Sequence, residues 1–396
     1  MAAGQVPDPP VPLLPAAGVV VAAVAEAVVI DRVGIGWRPQ LAAGILANLE
    51  QIDIVEVIAD DYFSAPAVKV RSLTTLASQV PITLHGIGQG MASTVAADSR
   101  RLQSMARLVD KLKPEAWSEH FAFVRSEELE IGHLAAPPRN AQSIAGTLEN
   151  IDAAHRMAGS LPQMENVATF VDPPGSTMDE SEWLSRVAAE SGCQLLLDLQ
   201  NVYTNSVNTG FDAFTMLAAL PLSRVGSIHI AGGKWIEGRI LDDHLHDVPD
   251  PVYELLRFVA SRTDHALTVV LERDGSYPTM SDLLEQLDKA RAAMQLGRAE
   301  ASAEAAESAA QFARQAAEIL SNPQFEQILT RIYLDPDLLD SSSFLQQSGL
   351  SGRQLNALQS IDKKGLRLAA NSFAHKRAGK KSARKSFWET IRSRFP

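Results

Sequence analysis

The strongest constraint on how this chain can fold is an eightfold alternation. A short apolar run ends in polar or charged residues and is followed by a helical pattern, eight times over. The runs are RVGIGW (32–37), DIVEVIAD (53–60), PITLHGIG (81–88), AWSEHFAF (116–123), PQMENVA (162–168), QLLLDLQN (194–201), VGSIHIAG (225–232) and ALTVVLERD (266–274). Unbroken Val/Ile/Leu stretches, rather than strict alternation, suit parallel strands buried on both faces. Amphipathic stretches lie between them, at 39–52, 98–112, 250–263 and 280–294. In the last, Leu283, Leu284, Leu287 and Ala290 recur at the steps of one helix face. Pro251 falls in a first helical turn, with Asp250 expected as the N-cap. Eight such units over 32–296 match the roughly 250 residues of a (β/α)8 barrel. A doubly wound sheet is the alternative, but its dinucleotide-binding version carries GxGxxG after the first strand. GIGW at 34–37 does not continue that way.

The expected fold is therefore α/β, a (β/α)8 TIM barrel over 31–297, followed by a small all-α domain over 298–375. The second domain is read from a change in composition after Leu296: an Ala-rich helix at 301–320, ended at Asn322-Pro323, then short helical patterns with Leu355, Leu358 and Ile361 on one stripe and Phe373 closing the segment. The tail, 376–396, is basic, with eight Lys/Arg against one Glu between Lys376 and Arg394, and reads as a solvated end. Residues 1–30 form a loose leader, Pro- and Ala-rich at first and then apolar from Gly18. No basic residue precedes that apolar stretch, so it lacks the positive flank of a secretory signal, and it falls short of the ~20 apolar residues of a membrane span. The expected location is the cytoplasm, with no membrane partner. A net charge of −11 gives no general attraction to a nucleic acid. One cysteine, Cys193, excludes an internal disulfide and any cysteine-rich zinc site, and reads as a small buried hydrophobe.

In TIM barrels, chemistry gathers at the C-terminal ends of the strands. The third strand ends near His85, the fourth near His120, the fifth near Glu165, the sixth near Asp198 and the seventh near His229. Asp242 and His244 follow as a D-x-H pair, and the eighth strand supplies Glu272. A lone strand histidine is usually a hydrogen-bonded core residue. Four histidines and four carboxylates converging on one mouth are different, because unpaired buried charge is costly. Arg273 is the one basic residue adjoining these candidates, so bound cations are the simplest compensation. Eight mixed nitrogen and oxygen ligands exceed the needs of one ion, and His/Asp/Glu donors suit Zn, Fe or Mn.

These segments resemble the multinuclear non-haem iron-dependent oxidative enzymes that modify ribosomally made peptides, the family of the methanobactin biosynthesis oxidase. The resemblance covers 32–296 and rests on GIGWRP (34–39), LHGIG (84–88), SEHFAF (118–123), MEN (164–166), LLLDLQNVYTNS (195–206), NTGFD (208–212), IHIAGG (228–233), DDH (242–244) and LERD (271–274). It implies a TIM barrel holding two or three iron ions of mixed Fe(II)/Fe(III) state, with dioxygen as co-substrate. The substrate implied is a Cys, Asp or Asn residue of a precursor peptide, delivered with a leader-binding partner protein. It implies that His85, His120, Glu165, Asp198, His229, Asp242, His244 and Glu272 hold metal, with Asp242 and His244 also catalytic. Asn166, Asn201 and Asp61 are implied as accessory residues. The chain departs from the family pattern at Asp60-Asp61 (usually Glu-Asn), at Gly233 (usually His) and at Gln200 (usually Asn). The helical domain is weakly similar to small domains fused to peptide-maturation enzymes, and is expected to hold the leader or dock a partner.

The main alternative is a multinuclear zinc phosphoesterase similar to endonuclease IV, which has the same order of ligands. That reading wants a histidine three residues after Asp198, where Asn201 stands, and basic loops around the mouth, where Asp60 and Asp61 lie. A sugar isomerase would want a lysine near the metals, and none is evident. A binding protein that has lost its metals would not need to keep all eight candidates.

Overall fold

The structure, a computed structural model, describes residues 29–126, 129–320 and 323–359. Most of the expected leader, the basic tail, Ile361 and Phe373 lie outside the described residues. The chain divides into two compact units, Met1–Ala299 and Glu300–Pro396.

The first unit is a closed barrel of eight parallel strands, numbered in chain order. These are β1 (Arg32–Trp37), β2 (Val55–Ile58), β3 (Ile82–His85), β4 (Trp117–His120), β5 (Gln163–Glu165), β6 (Leu195–Asp198), β7 (Val225–Ile230) and β8 (Thr268–Leu271). Each pairs with its sequence neighbours, and β1 closes the ring on β8 with Arg32 opposite Thr268 and Ile35 opposite Leu271. Parallel strands buried on both faces explain the unbroken apolar runs. Val33, Ile35, Val55, Val57, Leu84, Leu195 and Val269 are fully or almost fully buried in one continuous core.

Helices cover the outside, as their patterns demand. In Ser99–Leu112, Leu102, Met105, Leu108 and Leu112 form the buried stripe, and the Asp98 side chain caps the start by accepting from Arg100 N at 2.8 Å. The strand ends are closely packed. An added Cβ at Gly34 would stand 1.9 Å from the Ile54 carbonyl oxygen, so the main chain itself blocks a side chain there. Gly34→Ala should therefore cost about 3 kcal/mol, the upper part of the overpacking range. It would be read as a lower urea midpoint at unchanged slope.

Three details differ from the sequence reading. The fourth and seventh strands stop sooner than expected, and each is followed by an antiparallel hairpin: Phe123–Ser126 with Leu129–Ala135, and Gly232–Ile236 with Arg239–His246. Asp250 is not an N-cap. The cap position is Pro249, and Asp250 is the first residue of the helix Asp250–Ala260, where its charge suits the helix dipole. The helical patterns at 280–294 and 301–320 are one uninterrupted helix, Met280–Leu320. Ala293 and Met294 are buried and residues 302–304 are exposed, so the change in composition marks where the helix leaves the barrel core.

The second unit has its own small core of Phe325, Ile328, Ile332, Leu339, Leu350 and Leu358. Its elements include the helices Pro323–Leu334, Ser342–Gln347 and Gly352–Gln359. Among the described residues, no helix is long and apolar enough to cross a membrane.

Candidate metal centre

Strand ends place most of the candidates. His85, His120, Glu165 and Asp198 are the last residues of β3, β4, β5 and β6, His229 is the last but one of β7, and Glu272 follows β8 directly. Asp242 and His244 come from the second strand of the β7 hairpin, which folds back over the mouth. His244 takes a left-handed backbone, φ 53°, a conformation costly for a side-chain-bearing residue and concentrated at functional sites.

The barrel brings all eight side chains together. Glu165 Oε2 lies 3.4 Å from His85 Nε2 and 3.2 Å from His120 Nε2, while Oε1 lies 3.5 Å from His229 Nδ1. Glu272 Oε2 is 3.2 Å from both His229 Nδ1 and His244 Nδ1. His244 Nε2 is 3.0 Å from Asp242 Oδ1. Three sets of donor atoms lie within 4.8 Å of one another: His85, His229 and Glu272; His85, His120 and Glu165; and Glu165, Asp198, His229 and Glu272. His244 joins them through Glu272, and Asp242 joins through His244.

The accessory candidates divide. Asn166 clamps the Asp198 backbone, its Nδ2 donating to the Asp198 carbonyl and its Oδ1 accepting from the Asp198 N–H, each at 2.9 Å. Asn201 donates to the Asn166 carbonyl and keeps a buried Oδ1 with no partner. Asp61 does not reach the cluster. The short turn Ala59–Tyr62 after β2 leaves it exposed, and its neighbour Asp60 instead accepts from Ile87 N and pairs with Arg101.

The sequence reading missed four supporting residues. Ser118 Oγ lies 2.7 Å from His85 Nδ1. Asp274 Oδ2 lies 3.4 Å from His244 Nδ1 and is held by Arg38 through Oδ1. Glu56, 2% exposed in the middle of β2, approaches His229 Nε2 at 2.9 Å. Its signal was legible, since it is the one acidic residue inside the apolar run IVEVI. Two departures from the family pattern also meet in space. A Cβ at Gly233 would stand 2.8 Å from Gln200 Nε2 and 2.6 Å from the Leu241 carbonyl, so a side chain at 233 has no room beside this glutamine.

The electrostatics are those of crowded, buried charge. Burial pushes the His85 imidazole down to about 3 against the pull of Glu165. Burial acts in the same sense on His120, but Glu165 and then Glu119 outweigh it and raise the ring to about 9. Burial and then the Glu165 and Asp242 charges push Asp198 well above the usual carboxylate range. Glu272 resists the same desolvation and lies well below that range, because His229 and His244 face it. Imidazoles and carboxylates thus answer one another's charge across the cluster, as a multivalent cation would answer the carboxylates. The donors fit a metal. Glu165 Oε2, Asp198 Oδ2, Asn201 Oδ1, Asp242 Oδ1, His229 Nδ1 and His244 Nε2 are all buried without a hydrogen-bond partner. Orphaned polar atoms at this density are rare in folded proteins.

A (β/α)8 barrel with a convergent His/carboxylate cluster at the C-terminal mouth places the chain among metalloenzyme-like TIM barrels. The chain belongs to the family described as RiPP precursor modification enzyme MbnB/TglH/ChrH, whose pattern matches residues 32–295. Enzymes of that family act on ribosomally made precursor peptides. Among its relatives, a UPF0276 protein of Streptomyces avermitilis is 34% identical over 266 residues, covering 65% of this chain. The chain spans about half of that relative, 54% of its length. A UPF0276 protein of Bordetella bronchiseptica is 31% identical over 271 residues, 67% of this chain and 93% of the relative. Among solved structures, endonuclease IV from Thermus thermophilus aligns with a TM-score of 0.44 at 17% identity, covering 67% of this chain and 99% of that one. D-psicose 3-epimerase from Clostridium cellulolyticum aligns with a TM-score of 0.44 at 12% identity, over 68% and 99% of the two chains. Both likenesses are too low to bear on activity.

Proposed function

We propose that this protein is a multinuclear non-haem iron enzyme that uses dioxygen to oxidise a Cys, Asp or Asn residue of a precursor peptide. The observation that carries the reading is the set of orphaned donors from three strand ends, the helix after β6 and one hairpin, in a chain whose family modifies such peptides. His85, His120 and Glu165 would hold one ion. Asp198, His229 and Glu272 would hold a second, with Glu165 shared between the two. Asp242 and His244 would complete a third position with Glu272.

Bound iron would supply activation of dioxygen and the oxidising equivalents. The chain supplies orientation and a dry interior. His85, His120, Glu165, His229 and Glu272 have side chains no more than 7% exposed, whereas His244 and Asp242 are 14% and 17% exposed. The D-x-H pair is therefore the part of the cluster an incoming peptide residue would meet first, which favours a catalytic role for it. The segment 298–375 would hold the peptide's leader or a partner and raise the local concentration of substrate.

The test is elemental analysis and a Mössbauer spectrum on protein produced with added iron, followed by incubation with short peptides encoded by the reading frames neighbouring its gene, with and without oxygen. Two or three coupled irons and an oxygen-dependent change in peptide mass are expected. Zinc at the same stoichiometry with iron absent, or a mass change that persists without oxygen, would transfer the assignment to hydrolytic chemistry.

A further inference from the structure

We propose that Glu56 is a positioning residue for the metal centre: it fixes the tautomer of His229, so that this ring presents Nδ1, and not Nε2, to the ions. The inference rests on the metal-centre part of the reading above and is independent of which reaction the metals perform.

Each buried histidine of the cluster has one nitrogen held from outside and the other turned to the carboxylates. His85 Nδ1 is held by Ser118 Oγ at 2.7 Å and its Nε2 faces Glu165. His120 Nδ1 lies 3.1 Å from the Gly86 carbonyl and its Nε2 faces the same carboxylate. For His229 the ring is reversed. Nε2 faces Glu56 Oε1 at 2.9 Å, and Nδ1 faces Glu165 and Glu272 at 3.5 and 3.2 Å. The Glu56 contact is short but off the ideal angle, and neither atom finds another partner among the described residues.

The chemistry of Glu56 supports an outer role. Its Oε2 takes a hydrogen bond from the Thr83 hydroxyl at 3.4 Å and its Oε1 is set against His229, so both oxygens are turned to protein groups. It belongs to none of the donor sets that could close around an ion. A carboxylate in the middle of a barrel strand is expensive to bury unless something cationic or a strong donor answers it, and the group set against it at 2.9 Å is His229 Nε2. His85 Nδ1 is backed by a hydroxyl, and His120 Nδ1 by the Gly86 carbonyl at 3.1 Å with Glu119 Oε2 farther off at 3.8 Å, whereas the group directly behind His229 is the Glu56 carboxylate at 2.9 Å. A carboxylate behind an imidazole makes the opposite nitrogen a stronger ligand. His229 is also one of three residues, with Glu165 and Glu272, that appear both in a set with His85 and in the set with Asp198, so its orientation bears on more than one candidate ion position.

The test uses the full chain stripped of metal, with cobalt(II) as the probe followed by its visible absorption. E56A should bind cobalt about 10–100-fold more weakly than the native chain, the usual loss for an outer-shell partner. E56Q, whose amide oxygen can still accept from Nε2–H, should recover most of that loss. In zinc-loaded native protein with 15N-labelled histidine, His229 should show a protonated Nε2 and a metal-bound Nδ1. Native affinity in E56A, the opposite tautomer at His229, or E56Q as weak as E56A would each overturn the proposal, the last by marking the charge of Glu56 as a direct ligand. If E56A does not fold, the isosteric E56Q and the native tautomer decide. A native chain that binds neither cobalt nor zinc overturns this proposal and the metal-centre reading together. One that binds them but leaves peptide unoxidised overturns only the oxidative function.

Discussion

Glu165→Gln should empty most of the centre while leaving the barrel folded. Glu165 is the one carboxylate that faces three imidazoles, with Oε2 toward His85 and His120 and Oε1 toward His229. The amide keeps the size of the side chain and removes both its charge and one acceptor. Outer-shell losses alone cost about 10–100-fold in metal affinity or activity. Loss of a shared ligand should therefore exceed about a hundredfold in turnover, with a clear fall in metal per chain on elemental analysis. Circular dichroism should stay native, because the amide keeps the size of the side chain and the barrel is held by its continuous apolar core. Full metal content in this variant would show that the ions sit elsewhere.

Chelation is expected to lower the melting temperature of the native chain in a reversible way. An ion held at a hundred times its dissociation constant adds about 2.7 kcal/mol to the folded state. For a unit of this size that is roughly 5–10 °C per ion. Calorimetry before chelation, after it and after metal is restored reads the difference. The gap should widen as pH rises. In the metal-free fold the His120 ring is held up at about 9, above its unfolded value, so the stability this contributes is complete below about 6.5 and is lost as pH climbs through 9. Metal displaces that proton, so the loaded form is favoured over the same interval. A melting temperature indifferent to chelator would contradict a centre built into the barrel.

The ligands were legible for a plain reason. The rule that function gathers where parallel strands end turns a list of polar residues into a ring, and His85, His120, Glu165 and Asp198 each end a strand. The misses have equally physical causes. The two hairpins were invisible because their strands are largely exposed or half-buried, with no apolar run to mark them, as in LEIGHLA and RILDDHLH. Asp242 and His244 were therefore placed beyond β7 without the element that carries them. Asp61 was assigned through resemblance to an Asn position, and a one-residue difference in a tight turn decides which side chain points inward and which faces solvent. The single helix Met280–Leu320 escaped because a change in composition was read as a change in structure, and helix propensity alone gives no reason to stop before Asn322-Pro323. Glu56 was passed over because the search looked only at strand ends.

The closure of β1 on β8 also sets an order of events in the life of the molecule. Arg32 and Thr268 become neighbours although 236 positions separate them. The last strand-end donor, Glu272, follows immediately after that final strand. While the chain is being synthesised, His85 and His120 emerge early and wait, exposed and without the carboxylate that completes the ring. Such non-local pairing is slow to form. A cluster that draws donors from β3 through to the end of β8 can therefore close in full only after nearly the whole barrel has left the ribosome.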